Sequence, residues 1–146
     1  MIKQDQLPMV DTISMNDTHF DAMLLINKLS TAVEDANIEA VNEVFQELIE
    51  HTVQHCKNEE EMMVEKKFPP YPAHKEEHDL ALSDMRQAAS EFTKTQDMQA
   101  VKKYLELNLV PWFLQHTETM DAVTSMFLEN SEVHRAYWDR LKPREK

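Results

Sequence analysis

The stretch FPPYPAHKEEH, residues 68–78, decides the fold because it contains both a helix end and a helix start. Proline removes a backbone donor and disfavours helix in the residue before it, so the paired prolines end the preceding helix. Pro72 suits the first turn of the next helix, where its missing N–H is not needed. His74 and His78 then lie four residues apart, which places both imidazoles on one helix face. The stretch therefore predicts two helices joined by a short turn.

Apolar residues at helical spacing continue on both sides of this turn. We predict helices from Asn16 or Asp17 to about Asp35–Asn37, from Ile38 to Lys67, from Pro72 to Thr93, and from the cap Asp97 onward. Pro111 interrupts the last of these, so we expect a kink or break around Leu107–Val110. We also expect an extended arm over the first 15 residues and a short helical piece from Val133 to Leu141. Short connections predict an all-α, up-down-up-down four-helix bundle over about residues 16–128, within a single domain spanning 1–146.

Glycine is absent from all 146 residues. Tight hairpins and phosphate-binding loops depend on glycine, so a β-rich fold, a P-loop and a dinucleotide-binding fingerprint are disfavoured. The 27 acidic and 15 basic residues give a net charge of −12, which argues against nucleic acid and anionic membranes as partners. No apolar run approaches the roughly 20 residues of a membrane span, and the N-terminus lacks the features of a signal peptide. A single cysteine forms no internal disulfide, so we expect a cytoplasmic protein.

Histidines lie on apolar stripes of the predicted helices. Those flanked by Met, Leu, Ile, Val, Phe or Trp are His19, His74, His78 and His116. His55 forms a further i,i+4 pair with Glu59. A single pair of this kind is more typical of a solvent-exposed helix face, but several buried imidazoles without partners cost on the order of several kcal/mol each. Because a shared metal ion supplies those partners, the stripes together predict a buried metal site.

In order and spacing, these residues resemble the ligand set of the hemerythrin family. The pattern reads His19, His55-x-x-x-Glu59, His74-x-x-x-His78 and His116-x-x-x-x-Asp121. The i,i+5 step from His116 to Asp121 is specific, because a same-face rule does not generate it. The neighbouring residues that also match are Asn27, Leu29, Thr52, Glu60, Met63, Tyr71-Pro72 and Trp112. The resemblance covers about residues 16–128 and all seven ligands.

The resemblance implies a non-haem di-iron centre, two iron ions joined by an oxo or hydroxo bridge, inside a four-helix bundle. One iron is expected on His74, His78 and His116, and the other on His19 and His55. Glu59 and Asp121 are expected to bridge the two. The second iron then has an open position for dioxygen, so we expect reversible dioxygen binding for storage, delivery or scavenging, without catalytic residues. Two alternatives stay open: an oxygen or redox sensor, and an enzyme acting on peroxide, nitric oxide or ferrous iron.

The chain departs from the family around the expected oxygen pocket. Cys56 stands where an aromatic residue is usual, Phe113 where leucine is usual, and Thr117 where isoleucine is usual. Trp112 is retained. These changes reshape the pocket and add a hydroxyl, so we predict faster autoxidation than in relatives with the usual residues.

Other polar residues have simpler interpretations. Cys56 is interpreted as a buried helix cysteine, because no basic partner is evident nearby. His51 is interpreted as a partly exposed helix residue outside the ligand set, and His134 as a surface residue. The run Glu59–Glu61 is interpreted as a solvated face from which only Glu59 turns inward.

Overall fold

The computed structural model describes residues 1–10 and 13–128. Its α-helices are α1 (Ile13–Glu34), α2 (Ile38–Glu65), α3 (Tyr71–Thr95), α4 (Met98–Tyr104) and α5 (Val110–His116). Two π-helical segments, Leu105–Leu109 and Thr117–Asp121, follow α4 and α5, and residues 122–128 continue as α-helix. Residues 98–128 therefore form one continuous fourth helical rod. The predicted piece from Val133 to Leu141, with His134, lies outside the described residues.

Each helix packs against the next one in the chain, and α1 also packs against α4, which closes the bundle. The connections between them are only a few residues long, so neighbouring helices run in opposite directions. The predicted all-α four-helix bundle is confirmed. None of the helices in the described part of the chain combines the length and apolar composition needed to cross a bilayer.

The helix ends follow side-chain capping and proline placement. The Asn37 side chain accepts a hydrogen bond from the Ala40 N–H at 3.1 Å, and Asp97 accepts from Gln99 and Ala100 at 3.0 and 3.2 Å. Pro72 lies in the first turn of α3, as the sequence predicts. Capping of the exposed N–H groups therefore fixes where α2 and α4 begin.

Left-handed backbone follows the ends of the first three helices. Ala36, Lys67 and Gln96 have φ values of 52°, 55° and 55°. This region is normally taken by glycine, which the chain lacks. The bundle therefore makes its turns with residues that carry a Cβ.

The N-terminal arm is attached to α1 by two asparagine side chains. Asn27 accepts from the Ile2 N–H at 2.7 Å and donates to the Ile2 carbonyl at 2.8 Å, and Asn16 makes the same pair of bonds with Val10 at 2.8 and 2.7 Å. Ile2, Leu7 and Val10 are buried, and a short 3₁₀ turn covers Gln4–Gln6. Asn16 therefore binds the arm and does not cap α1, which already begins at Ile13.

Pro111 is accommodated without a break in the helix. Proline has no N–H to donate to the carbonyl four residues earlier, and its ring crowds that carbonyl. The backbone widens instead into the π-helical segment Leu105–Leu109, where the Val110 N–H donates to the Leu105 carbonyl. The irregularity predicted around Leu107–Val110 therefore takes the form of a π-helical segment.

The end of the bundle farther from the histidines has an apolar interior, which we call the apolar end. The bundle has four rods, which are α1, α2, α3 and the fourth rod of residues 98–128. The buried residues at this end come from all four, and they include Leu29, Val41, Phe45, Phe92, Val101 and Leu105. Close packing of these side chains fixes the spacing of the helices. The opposite half of the bundle, called the metal end below, is thereby held at a defined geometry.

Candidate metal centre

All four rods contribute polar side chains to the metal end. The seven predicted ligands are His19 on α1, His55 and Glu59 on α2, His74 and His78 on α3, and His116 and Asp121 on the fourth rod. Six of them are buried, and the side chain of His55 is 17% exposed. The structure brings all seven together, with ligand atoms in two overlapping groups whose members lie within 4.8 Å of one another.

The second π-helical segment explains the i,i+5 spacing. In a regular α-helix, residues five apart point about 140° away from each other around the axis. Over Thr117–Asp121 the turn is wider, and the Ala122 N–H donates to the Thr117 carbonyl. His116 and Asp121 consequently share a face, with 2.9 Å between His116 Nε2 and Asp121 Oδ1. Such π segments occur often at functional sites.

The two oxygens of Glu59 face different histidines. Oε1 lies 2.8 Å from His74 Nε2 and 3.5 Å from His78 Nε2, whereas Oε2 lies 3.1 Å from His55 Nε2. One carboxylate therefore reaches toward two groups of imidazoles.

Asp121 is divided in the same way. Its Oδ1 lies 3.0 Å from His74 Nε2 and 2.9 Å from His116 Nε2, whereas Oδ2 lies 2.8 Å from His19 Nε2. The site thus has two halves, which we call the three-histidine position (His74, His78, His116) and the two-histidine position (His19, His55). Each half has one oxygen from each carboxylate.

The imidazoles of the three-histidine position are arranged as metal ligands are. His116 Nε2 lies 3.2 Å from Nε2 of both His74 and His78. On the outer side of these rings, His78 Nδ1 lies 2.9 Å from Glu60 and His116 Nδ1 lies 2.6 Å from Glu77. An ionised carboxylate only accepts, so Glu60 and Glu77 favour the proton on Nδ1 when these two rings are neutral and Nε2 binds a cation. The Nε2 lone pairs then converge on one point, where a cation fits.

Unpaired buried atoms also fit a missing cation. Within the described residues, neither oxygen of Glu59 has a well-directed hydrogen bond, although both lie close to imidazole nitrogens. Leaving a carboxylate unsatisfied in the interior is costly, whereas coordination to a metal satisfies it. Imidazole and carboxylate together suit first-row transition metals.

Without a metal, the carboxylates and imidazoles stabilise each other's charged forms. Burial opposes the charge on His74, but Asp121 and Glu59 outweigh it and raise the pKa of His74 to about 9. Burial and Asp121 likewise oppose ionisation of Glu59, yet His55, His74 and His78 lower its pKa to about 2. Burial also opposes ionisation of Asp121, and hydrogen bonds from His116, His19 and His74 hold its pKa well below the ordinary value. Bound metal must therefore displace protons from the histidines.

A small enclosed cavity adjoins the two-histidine position. Its volume is about 30 Å³, enough for one or two water-sized molecules. It also reaches the three-histidine position: the polar residues that line it are His19, His51, Thr52, His55, His78, His116 and Asp121, and the apolar ones include Ile26, Leu48, Met85, Leu109 and Phe113. A small molecule fits this space, whereas an extended one does not.

Three of the four predicted pocket residues line this cavity: Cys56, Trp112 and Phe113. Thr117 is fully buried but does not line it, because it lies one residue beyond His116 and so faces another direction around the helix. Its Oγ1 has no hydrogen-bond partner. The predicted wetting of the pocket by Thr117 therefore has no geometric support.

His51 and Cys56 complete the wall of the cavity. The ring of His51 stacks in parallel on that of His55, with 6.5 Å between centroids, and its Nε2 lies 3.2 Å from the Thr18 carbonyl. Cys56 is buried, as the sequence predicts, and its sulfur lies near the ligand atoms of Glu60 and His78. Burial, together with nearby carboxylates such as Glu59, raises the pKa of the Cys56 thiol, so it stays protonated.

Sequence reasoning missed the groups that contact the outer side of the three-histidine rings. The sequence predicts a solvated face for Glu60, although this residue matches the family, and it gives no indication for Glu77 or Thr124. Thr124 Oγ1 lies 2.9 Å from His74 Nδ1. Each of these partners comes from a different helix than its histidine, so periodicity along one helix gives no signal for it.

Comparison with known proteins agrees with this geometry. The family model described as the hemerythrin HHE cation binding domain matches residues 11–128. A protein of Aquifex aeolicus (strain VF5) called bacteriohemerythrin is 27% identical over 128 residues, which cover 88% of this chain and 98% of that relative. The family model covers most of the chain, and it agrees with the four helical rods and the buried His/Glu/Asp cluster. The chain therefore belongs to the hemerythrin family.

Proposed function

We propose that the protein holds two iron ions and binds dioxygen reversibly at the two-histidine position. The observation that carries this proposal is the division of Glu59 and Asp121, each of which directs one oxygen to each group of histidines. Two bridging carboxylates suit a pair of metal ions better than a single ion. The proposal extends to one domain over residues 1–146, with the bundle at about 16–128.

The seven ligands have separate tasks in this proposal. His74, His78 and His116 hold one ion, His19 and His55 hold the other, and Glu59 and Asp121 bridge them. Bound ferrous ions supply the two electrons that dioxygen requires to bind. Five neutral imidazoles against two carboxylates make a donor set of low negative charge, which favours the ferrous state needed for reversible binding.

The cavity supports dioxygen as the ligand. It is small, it adjoins ligands of both positions, including His19 and His55, and the apolar side chains in its lining limit entry of water and protons. Exclusion of water favours reversible binding over irreversible oxidation. The raised pKa of Cys56 leaves that thiol without nucleophilic character, which disfavours thiol-based reduction of peroxide.

Metal content tests the ligand set. We expect two iron ions per chain by elemental analysis of protein purified without added metal, and a loss of about one in His55→Ala. His51→Ala is the matched control, because His51 lies one turn earlier on the same helix and contacts a carbonyl instead of the carboxylates. One ion per wild-type chain, or equal losses in both variants, contradicts the proposed set.

The absorption spectrum of the reduced protein tests the function. We expect a new visible band on exposure to air that disappears when oxygen is removed, over several cycles. Permanent conversion to the ferric form in the first cycle contradicts reversible binding. Continued consumption of peroxide, nitric oxide or ferrous iron over many turnovers favours the enzyme alternative.

A further inference from the structure

The two metal positions differ on the outer side of their histidine rings. At the three-histidine position, every ring has a partner at Nδ1: Thr124 for His74, Glu60 for His78 and Glu77 for His116. At the two-histidine position, His19 Nδ1 is buried and has no partner among the described residues. The polar contact of His55 within the described chain is the one to Glu59, on its inner side.

Glu60 and Glu77 are well placed to act on the metal through these rings. Their side chains are only 19% and 31% exposed, and the distances to Nδ1 are 2.9 and 2.6 Å. A carboxylate that accepts from Nδ1–H fixes the ring orientation and its tautomer, and it increases the electron density at Nε2. Each of the two also adds a negative charge near the three-histidine position. The bridging carboxylates Glu59 and Asp121 are shared, so they add no such difference.

We infer that Glu60 and Glu77 are positioning residues that make the three-histidine position the tighter of the two, so that it fills first and empties last. This inference rests on the metal-binding part of the proposed function and is independent of dioxygen. The ion at the two-histidine position is then the more weakly held one, since in the described part of the chain no carboxylate is bonded to the outer side of His19 or His55.

Titration of the metal-free full-length chain with Co²⁺ against a competing chelator tests the inference. The visible ligand-field absorption reports each binding event separately from any activity. We expect two phases of one ion per chain each, the first tighter. His55→Gln should remove the second phase, and His78→Gln the first, which identifies the positions.

The variants Glu60→Gln and Glu77→Gln keep the size and an acceptor oxygen but remove the charge. We expect each to weaken the first phase by about 10-fold to 100-fold and to leave the second phase unchanged, as is typical when such outer partners are altered. Glu76→Gln and Glu61→Gln are matched controls, because both glutamates are exposed neighbours on the same helices. Circular dichroism of each variant verifies that the bundle is folded.

Several results overturn the inference. In the wild type, these are two phases of equal affinity or no binding of Co²⁺. Removal of the first phase by His55→Gln also contradicts the inference. Equal weakening of both phases in Glu60→Gln and Glu77→Gln contradicts it as well, because it indicates a general structural effect. Failure of the proposed dioxygen function has a different signature. In that case the Co²⁺ phases and their response to Glu60→Gln and Glu77→Gln persist, while the reduced iron protein shows no reversible band.

Discussion

The two ends of the bundle are stabilised by different interactions. At the apolar end, side chains such as Phe45 and Phe92 are almost fully buried and need only close packing. At the metal end, five imidazoles and two carboxylates fill the interior of the bundle instead. Apolar packing is complete once the chain has folded, whereas the polar groups pair with one another only in part and leave the oxygens of Glu59 without a well-directed hydrogen bond within the described residues.

Apolar packing at one end therefore stabilises the fold, whereas the polar groups at the other end form the site. We expect the apolar end to hold the four rods at a fixed spacing whether or not metal is present. The metal end uses that spacing to bring ligands from all four rods together, at a cost in desolvation that the metal offsets. Substitutions at each end, measured in the metal-free and the metal-loaded protein, therefore distinguish the contributions of the two ends to stability.

Removing the metal should have the largest effect. An ion that binds only the native state stabilises it by about 4 kcal/mol at a concentration 1,000 times its dissociation constant, so two ions give on the order of 8 kcal/mol. For a chain of this size that corresponds to a decrease in melting temperature of on the order of 15 °C or more. Scanning calorimetry of chelator-treated and loaded protein measures it. Equal melting temperatures contradict a metal-dependent end.

Truncation at the apolar end should be the next largest effect. Phe92→Ala leaves a cavity and should lower the free energy of unfolding by about 3–5 kcal/mol. Because Phe92 is remote from the ligands, the loss should be the same in the metal-free and the loaded protein. Urea denaturation of both forms tests this. A loss confined to one form indicates that the two ends are coupled.

The pH dependence of the metal-free protein should reveal the charge on His74. The pKa of His74 is about 9 in the folded chain, against an ordinary value of 6.5. Protonated His74 therefore contributes its full stabilisation below pH 6.5. This contribution is lost as the pH rises through 9. The metal-free protein should therefore become less stable from pH 6 to 9.5, as urea denaturation measures. The metal-free variant His74→Gln, which lacks this group, should show a smaller decline. An identical decline in both proteins assigns the effect elsewhere.

Thr117→Val should have a small stabilising effect. The Thr117 hydroxyl is buried without a partner, so replacing it with a methyl group removes a desolvation cost of about 1 kcal/mol. Since Thr117 does not line the cavity, the rate of autoxidation should not change. Stopped-flow absorbance and thermal melting measure the two quantities. Thr124→Val is the contrasting variant, because it removes the partner of His74 and should weaken metal binding.

Much of the bundle follows from local sequence signals. Pro72 and the caps Asn37 and Asp97 fix helix starts because they act within one turn of the backbone they stabilise. The helix stripes place His74 and His116 in the interior because burial follows the period of the helix. These signals need no knowledge of the partner helix.

Features that depart from a single regular α-helix do not follow from the sequence pattern. Asn16 resembles a helix cap in sequence, but its amide binds Val10 once the arm has folded back. Glu77 resembles a surface residue on its own helix, yet it reaches His116 on the fourth rod. The π-helical segment Thr117–Asp121 was visible only as an unexplained five-residue step between two ligands. Each feature depends either on a contact with another segment or on a helical geometry that the regular period of about 3.6 residues does not describe.

The left-handed residues Ala36, Lys67 and Gln96 have a consequence for the unfolded protein. Each Cβ in this conformation costs the folded chain on the order of 1–2 kcal/mol, which glycine avoids. Glycine, however, gives an unfolded chain its greatest backbone freedom, and this chain has none over 146 residues. The unfolded ensemble therefore has fewer backbone conformations along the whole sequence. In the folded chain, the accompanying backbone strain lies at Ala36, Lys67 and Gln96. Folding starts from fewer conformations, and less entropy is lost when the four rods assemble.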